Sequence, residues 1–460
     1  MPSSKPSSAA HGFAYTQDQF RQLVEDALLE AKRLGASDAG AEASEGCGLS
    51  VSVRKGELEN VELNRDKSLG ISVYLGQRRG NASTSDFSAQ ALKDTVRAAF
   101  DIARFTAEDP VAGLPDEQDL SLDVAARPEL DLFHPWDLSA DKAAELALRC
   151  EAAAFATDSR ITNSEGAATS AQQSHFVSGN TRGFRGGYAS SRHSISVAPI
   201  AGRGAGMQRD SWYSSMRAAG DLASPEAVGR YAAERALSRL KARKVKTAEV
   251  PVLFESTVAA GLLGALVQAT SGGALYRKAS FLLDSLGKPV LASHIDVAED
   301  PHVLKGKGSS PFDDEGVITR ARSVVEAGVL QGYFLSTYSA RKLGLRTTGH
   351  AGGSHNLVMK SRLTAPGDDL KTMLRRLGRG LFVTELMGQG VNYVTGDYSR
   401  GASGYWVENG EIAYPVHEVT IAGNLREMFL DIAGIGTDQY TLGTKTIGSV
   451  LVARMKLAGS

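Results

Sequence analysis

Cysteine is nearly missing: Cys47 and Cys150 are the two thiols in 460 residues. Two cysteines this far apart cannot build a disulfide framework or a Cys-rich zinc site, and the usage fits a reducing compartment. Cys150, inside "AAELALRCEAAAF", reads as a small core residue. A basic excess is also missing. The formal net charge is −1, which argues against a general nucleic-acid binder. One basic run, "RALSRLKARKVK", holds Arg235, Arg239, Lys241, Arg243, Lys244 and Lys246 with no acid or aromatic residue among them. It reads as the solvated end of a helix, where cations suit the dipole. No apolar run approaches the ~18 residues of a membrane span. The opening "MPSSKPSSAAHG" lacks the apolar stretch of a secretory signal, and residues 1–14 are expected to be a disordered tail. Proline is scarce, at 14 residues against 49 glycines. That balance predicts strands joined by tight turns and not disorder.

What is present fits a soluble globular chain with more than one core. Hydrophobic residues make up 42% and charged residues 22%. The length suggests two or three domains. "TQDQFRQLVEDALLEAKRLG" places Phe20, Leu23, Val24, Ala27, Leu28 and Ala31 on one helical face, with capping-box spacing at Thr16 and Gln19 and a stop at Gly35. Alternating strands follow, with turns expected at Lys55-Gly56 and near Arg79-Gly80. "SAQALKDTVRAAFDIARF" and "SADKAAELALRCEAAAFATD", the latter capped by Ser139, return to helix. Strand-like sequence from Ile161 to about Met216 carries expected turns at Glu165-Gly166, Arg182-Gly183 and Gly186-Gly187. The predicted fold is α+β. Residues 15–240 form an α+β domain with sub-segments of about 15–110 and 125–240, and residues 247–460 form a β-rich domain. Asn409-Gly410 is the strongest hairpin signal.

No complete catalytic constellation stands in the sequence. There is no Walker spacing, since "LKGKGSS" lacks a glycine five residues before Gly306, and there is no Gly-x-Ser-x-Gly elbow. Nine histidines are present. His350 and His355 frame "HAGGSH", a spacing that does not share a helical face and suits loop histidines bonded to backbone. His417-Glu418 lacks a second histidine. Asp313, Asp314 and Glu315 in "SSPFDDEG" read as solvated turn residues. "GLLGALVQATSGGALYRKASF", Gly261 to Phe281, reads as an apolar core helix followed by Gly-Gly and Arg277-Lys278.

Several stretches together carry a resemblance: "SVRKGELENVE", "GISVYLGQRRGNASTSDFS", "AGMQRDSWYSS", "SGGALYRKASFLLDSLGK", "SSPFDDEGV", "GVLQGYFLSTYSARKLGLRTTGHAGG" and "MGQGVNYVTGDYSRGASGYWVENGEI". From about Ser50 to the end, the chain resembles the family of TldD and TldE (PmbA) proteins. The resemblance implies a two-domain architecture. It also implies a cytoplasmic heterodimeric metallopeptidase that hydrolyses short or unfolded peptides, including microcin-type leaders and antitoxins. In the TldD-like branch, His-Glu-x-x-x-His on a helix and a distant cysteine hold the zinc, and the Glu serves as base.

With Arg277-Lys278 as anchor, the motif falls on Gly264, Ala265 and Ala269, and no cysteine follows Cys150. The chain thus resembles the PmbA (TldE) branch. The implied reading has no catalytic residue, no metal and no cofactor of its own, with zinc in a TldD-like partner. Candidate peptide-cleft residues are Arg277, Lys278, His350, Gly352, Gly353, His355, Gly388 and Gly390. The glycines of Gly349–Gly353 and Gly388–Gly390 are the expected places for close backbone approach of a peptide. Self-association of the isolated chain is compatible with this reading. Neither nucleic acid nor a membrane is expected as a partner. The alternative the resemblance offers is a non-enzymatic protein acting on DNA gyrase or a toxin–antitoxin system.

Overall fold

A computed structural model describes residues 12–459. The chain forms two compact units. One runs to Leu237 and takes in Asp314–Ile318; the other consists of Ser238–Asp313 and the chain from Thr319 onward. Residues 1–11 of the expected tail lie outside the described residues. Gly12–Ala14 do not behave as a tail. The buried Glu45 carboxylate accepts from the Ala14 amide at 2.8 Å, and Arg65 donates to the Gly12 carbonyl.

The first unit begins with α1 (Gln17–Arg33). Thr16 and Gln19 form the reciprocal capping box, and Phe20, Val24, Ala27, Leu28 and Ala31 are buried. Then come β1 (Asp38–Arg54), β2 (Glu57–Leu75), β3 (Arg78–Thr84), α2 (Ala89–Phe105), α3 (Ala140–Thr157), β4 (Ile161–Asn180), β5 (Arg185–Gly186), β6 (Ala189–Ala201), β7 (Gln208–Arg209), β8 (Trp212–Met216) and α4 (Pro225–Ser238). The strands make one antiparallel sheet in the order β3-β2-β1-β4-β6-β7, with β5 on β4 and β8 on β6. Alternate residues of β1 are buried, and α1 and α2 supply most of the core beneath it.

The β1–β2 hairpin turns at Lys55-Gly56, where both φ values are positive, as a two-residue turn requires. The buried Glu151 of α3 accepts from both turn amides, at 3.0 and 2.8 Å. Cys150 beside it is fully buried, and burial pushes its thiol up to about 12. The next expected turn is displaced. Arg79-Gly80 lies inside β3, and the chain reverses at Gly76-Gln77. Gly80 serves close approach instead: a Cβ there would stand 2.0 Å from the Ala99 carbonyl of α2. Glu165-Gly166 is likewise not a turn but a bulge within the continuous β4.

The second unit contains β9 (Ala248–Phe254), α5 (Ser256–Ala269), α6 (Gly272–Tyr276), β10 (Ile295–Asp300), β11 (Arg322–Glu326), β12 (Val329–Leu330), α7 (Thr337–Lys342), β13 (Asn356–Ser361), α8 (Leu370–Leu377), β14 (Gly380–Met387), β15 (Asp397–Glu408), β16 (Glu411–Asn424), α9 (Leu425–Leu430), β17 (Ile432–Ile435), β18 (Tyr440–Leu442), β19 (Lys445–Ile447) and β20 (Val450–Ala458). One sheet runs β16-β15-β14-β9-β20-β17, and a further β16–β20 pairing closes five of these strands on themselves. Closure removes the free edges that an open sheet would expose. The other sheet runs β12-β11-β10-β13-β19-β18. Asn409-Gly410 makes the β15–β16 turn with two positive φ values, as its sequence predicts. The fold is α+β, with a β-rich C-terminal unit.

The basic run is not a solvated helix end. Arg239 is buried and pairs with Glu385 at 2.6 Å, Arg243 stacks over Tyr414, and Lys244 meets Glu418 at 3.2 Å. The acids and the aromatic ring come from β14 and β16, remote in sequence, so local composition could not reveal them. No helix among the described residues is long and apolar enough to cross a membrane.

Candidate functional site

Helix α5 is the natural starting point. Its apolar residues pack almost all round: Ala259, Ala260, Leu262, Leu263, Ala265, Leu266 and Ala269 are buried in the main core of the second unit. One narrow face stays open, formed by Thr257, Gly261, Gly264 and Gln268 at successive three- and four-residue steps. Gly264 and Ala269 do not share a face. Five residues turn a helix by ~500°, which leaves the two about 140° apart. Gly264 is half-exposed and Ala269 is in the core.

A Cβ at Gly264 would meet one side chain, the Cε of Lys445, at 3.6 Å, and a Cβ at Gly261 would meet nothing within 4 Å. Gly264→Ala is therefore expected to stabilise the chain by about 0.5–1 kcal/mol, because helix propensity rises with no clash to offset it. Denaturant melts of the two proteins check this.

Lys445 projects from β19, which is pinned between β13 and β18. Burial pushes its amine below the usual lysine range. Among the described residues it has no carboxylate or other hydrogen-bonding partner.

The loop histidines form a separate cluster. Glu299 of β10 is buried and accepts from the Nε2 of His350 at 2.9 Å, the Nε of Arg322 at 2.8 Å and the His355 amide at 2.7 Å. Burial by itself would raise Glu299. The His350 hydrogen bond and the Arg322 guanidinium outweigh it and hold the carboxyl at about 2. Burial pushes His350 the other way, below its usual range, against the raising pull of the Glu299 carboxylate, and Arg322 supplies a permanent positive charge beside Glu299. The two ring nitrogens of His355 lie 3.2 and 3.1 Å from the Gly308 and Gly349 carbonyls. Both imidazoles are thus buried and engaged. Asp313, expected on a solvated turn, is buried and accepts from the Ala351 amide at 3.0 Å.

The remaining candidates are scattered. Arg277 and Lys278 are exposed at the end of α6, and Arg277 stacks on Tyr276. Gly352 and Gly353 have positive φ, and space beside Gly353 is open. Gly388 also has positive φ with open space, whereas a Cβ at Gly390 would come 1.7 Å from the Ser399 carbonyl. In the first unit, a cavity of about 540 Å3 lies over the sheet and includes Glu42, Arg79, Asn81 and Asp314 in its walls. The Glu42 side chain reaches the cavity's solvent, yet the surrounding protein, and then the Asp314 charge, push its carboxyl above the usual range.

Known proteins resemble this chain in architecture and in sequence. Residues 247–459 match the PmbA/TldA metallopeptidase C-terminal domain, residues 133–240 its central domain and residues 41–103 its domain 1. Metalloprotease PmbA of Escherichia coli O157:H7 is 51% identical over 95% of this chain and 97% of its own length. The chain belongs to the PmbA/TldD family. A PmbA homologue of Haemophilus influenzae is 46% identical over 99% of this chain and 100% of its own. A Bacteroides thetaiotaomicron structure, described as a proposed modulator of DNA gyrase, superposes with a TM-score of 0.90 at 27% identity, covering 96% of this chain and 100% of that one. TldE of Thermococcus kodakarensis shares the fold, with a TM-score of 0.82 at 20% identity over 95% and 100% of the two chains.

The family's name implies a metal, and the donors on α5 do not fit one. Gly264 and Ala265 offer no donor atom, Ala269 is sealed in the core, and the nearest functional group across Gly264 is a cationic amine. Among the described residues no group of three or more His, Cys, Asp or Glu is arranged to hold a metal ion. Sequence reasoning on this PmbA/TldD-family chain passed over Lys445, Glu42 and Glu299. The one local signal was Lys445 itself, a lone cation in the short strand "TKTIG".

Proposed function

We propose that this chain is the metal-free, PmbA/TldE-like subunit of a cytoplasmic peptidase whose zinc sits in a TldD-like partner. The pair would hydrolyse short or unfolded peptides, with leader trimming of microcin-type precursors and antitoxin degradation as the expected tasks. The observation that carries this reading is α5: a family helix on which Gly264, Ala265 and Ala269, the positions of the metal motif, offer no side-chain donor atom. In this role the chain's own residues build a wall and bind peptide, and they move no proton.

The test is reconstitution. The chain alone should leave an unfolded casein intact and carry no stoichiometric zinc. With a TldD-like subunit from the same genome it should cleave, and a chelator should stop cleavage. Chelator-sensitive cleavage by this chain alone would sink the proposal. The second reading, interaction with DNA gyrase, rests on how the Bacteroides relative is described. Direct gyrase binding by a pair that cleaves no peptide would favour it.

A further inference from the structure

The open face of α5 and Lys445 together make a feature that the core packing leaves unexplained. Thr257, Gly261, Gly264 and Gln268 form a strip without bulk at its centre. The Cε of Lys445 stands 3.6 Å from where a Gly264 Cβ would lie, and strand pairing on both sides fixes the lysine's backbone. A lysine at a protein surface ordinarily extends to water or meets an acid. This one is half-buried and, among the described residues, meets no acid. A partly desolvated ammonium without a counter-charge is unfavourable, and an incoming anion would relieve it.

We propose that Lys445 is the carboxylate-binding group of a peptide subsite laid along the open face of α5. The carboxylate is either the C-terminus of the bound peptide or an Asp or Glu side chain within it. One ammonium with no neighbouring guanidinium suits a single carboxylate better than a doubly charged phosphate. The inference rests on the peptide-handling reading above for the identity of the ligand, but binding can be measured on this chain alone.

Three probes separate the possibilities: the peptide acetyl-Ala-Ala-Gly-Ala-Ala with a free C-terminus, its C-terminal amide, and an amide in which the central residue is Glu. Lysines of the full chain are dimethylated with 13C-formaldehyde, and the Lys445 signal is assigned by its loss in Lys445→Met. The free acid should shift that signal and bind about tenfold more tightly than the plain amide. If the Glu-containing amide restores tight binding, side-chain carboxylates are also accepted; if not, the subsite reads the C-terminus. Lys445→Met should abolish the discrimination, and Lys445→Arg should keep most of it, which separates lost charge from lost folding. Gly264→Glu supplies a resident carboxylate and should block the site while Gly264→Ala does not.

Equal binding of acid and amide by the unaltered chain would overturn the proposal, as would unchanged discrimination in Lys445→Met or no binding of any probe at millimolar concentration. Discrimination at Lys445 without turnover by the reconstituted pair would keep this subsite and refute the peptidase reading. Turnover without discrimination would do the reverse.

Discussion

Glu299→Gln is expected to cost the C-terminal unit about 3–5 kcal/mol, the scale for removing one partner of a buried ion pair. The shape is kept, but the Arg322 charge loses its counter-ion. One end of the new amide must also face a donor: Oε2 now accepts from both His350 and Arg322, and Oε1 accepts from the His355 amide. The reporter is Trp406, with Trp136→Phe and Trp212→Phe made in the background, because those two tryptophans lie in the other unit. Acid should reveal the same group. Glu299 titrates at about 2 in the folded protein against 4.5 ordinarily. Its stabilisation, on the order of 3 kcal/mol, is complete above pH 4.5 and is lost as pH falls toward 2. His350 adds to this from a higher pH. Burial lowers it from 6.5, so the folded state prefers the neutral ring and loses that advantage as pH drops below 6.5. The urea midpoints of wild type and Glu299→Gln should therefore converge near pH 2. Parallel midpoints across that range would show that Glu299 is not the linked group.

Gly390→Val should open the loop that precedes β15 at a cost of about 3 kcal/mol. The Ser399 amide donates to the Gly390 carbonyl at 2.7 Å, Val391 bridges Tyr398, and the Asn392 amide donates to the Asp397 carbonyl at 2.8 Å. A Cβ 1.7 Å from the Ser399 carbonyl strikes backbone, so no rotamer change relieves it. Hydrogen exchange at Ser399 and Asn392 should accelerate by about a hundredfold, whereas the β9–β20 pairing should hold. Gly388→Val meets open space and carries the strain of a positive φ alone, about 1–2 kcal/mol. The close backbone approach that the structure does show at Gly390 is that of the chain's own β15.

Features encoded within a few residues were legible in advance. The Thr16–Gln19 box, the Ser139 cap, and the Lys55-Gly56 and Asn409-Gly410 turns need no distant partner. The α+β class follows from the same local periodicities. The family followed from quoted stretches spread over the chain. What stayed hidden depends on residues far apart in sequence. Arg239 reads as a surface cation until Glu385 is placed beside it, and Asp313 reads as a turn acid until the Ala351 amide arrives. Gly80 and Glu165-Gly166 misled because glycine marks both reversals and close approaches, and sequence does not separate the two. Lys445 gains meaning only from lying across Gly264.

The small excursion at Asp314–Ile318 bears on how the protein is made. Leu120 bridges Val317, the Ser121 amide donates to the Gly316 carbonyl, and Gly316 sits against the buried Phe184 ring at a distance no side chain would fit. All of these partners belong to the first unit, yet the ribosome delivers the segment well after Leu237. At synthesis rates of about 5–20 residues per second, the wait is roughly 4–15 s. During that interval the nascent N-terminal unit has its sheet and helices but not its last strip of backbone, and Phe184 lacks the Gly316 contact. Vectorial folding of this chain is therefore interrupted, and the first unit to be translated is finished only when the second is partly out.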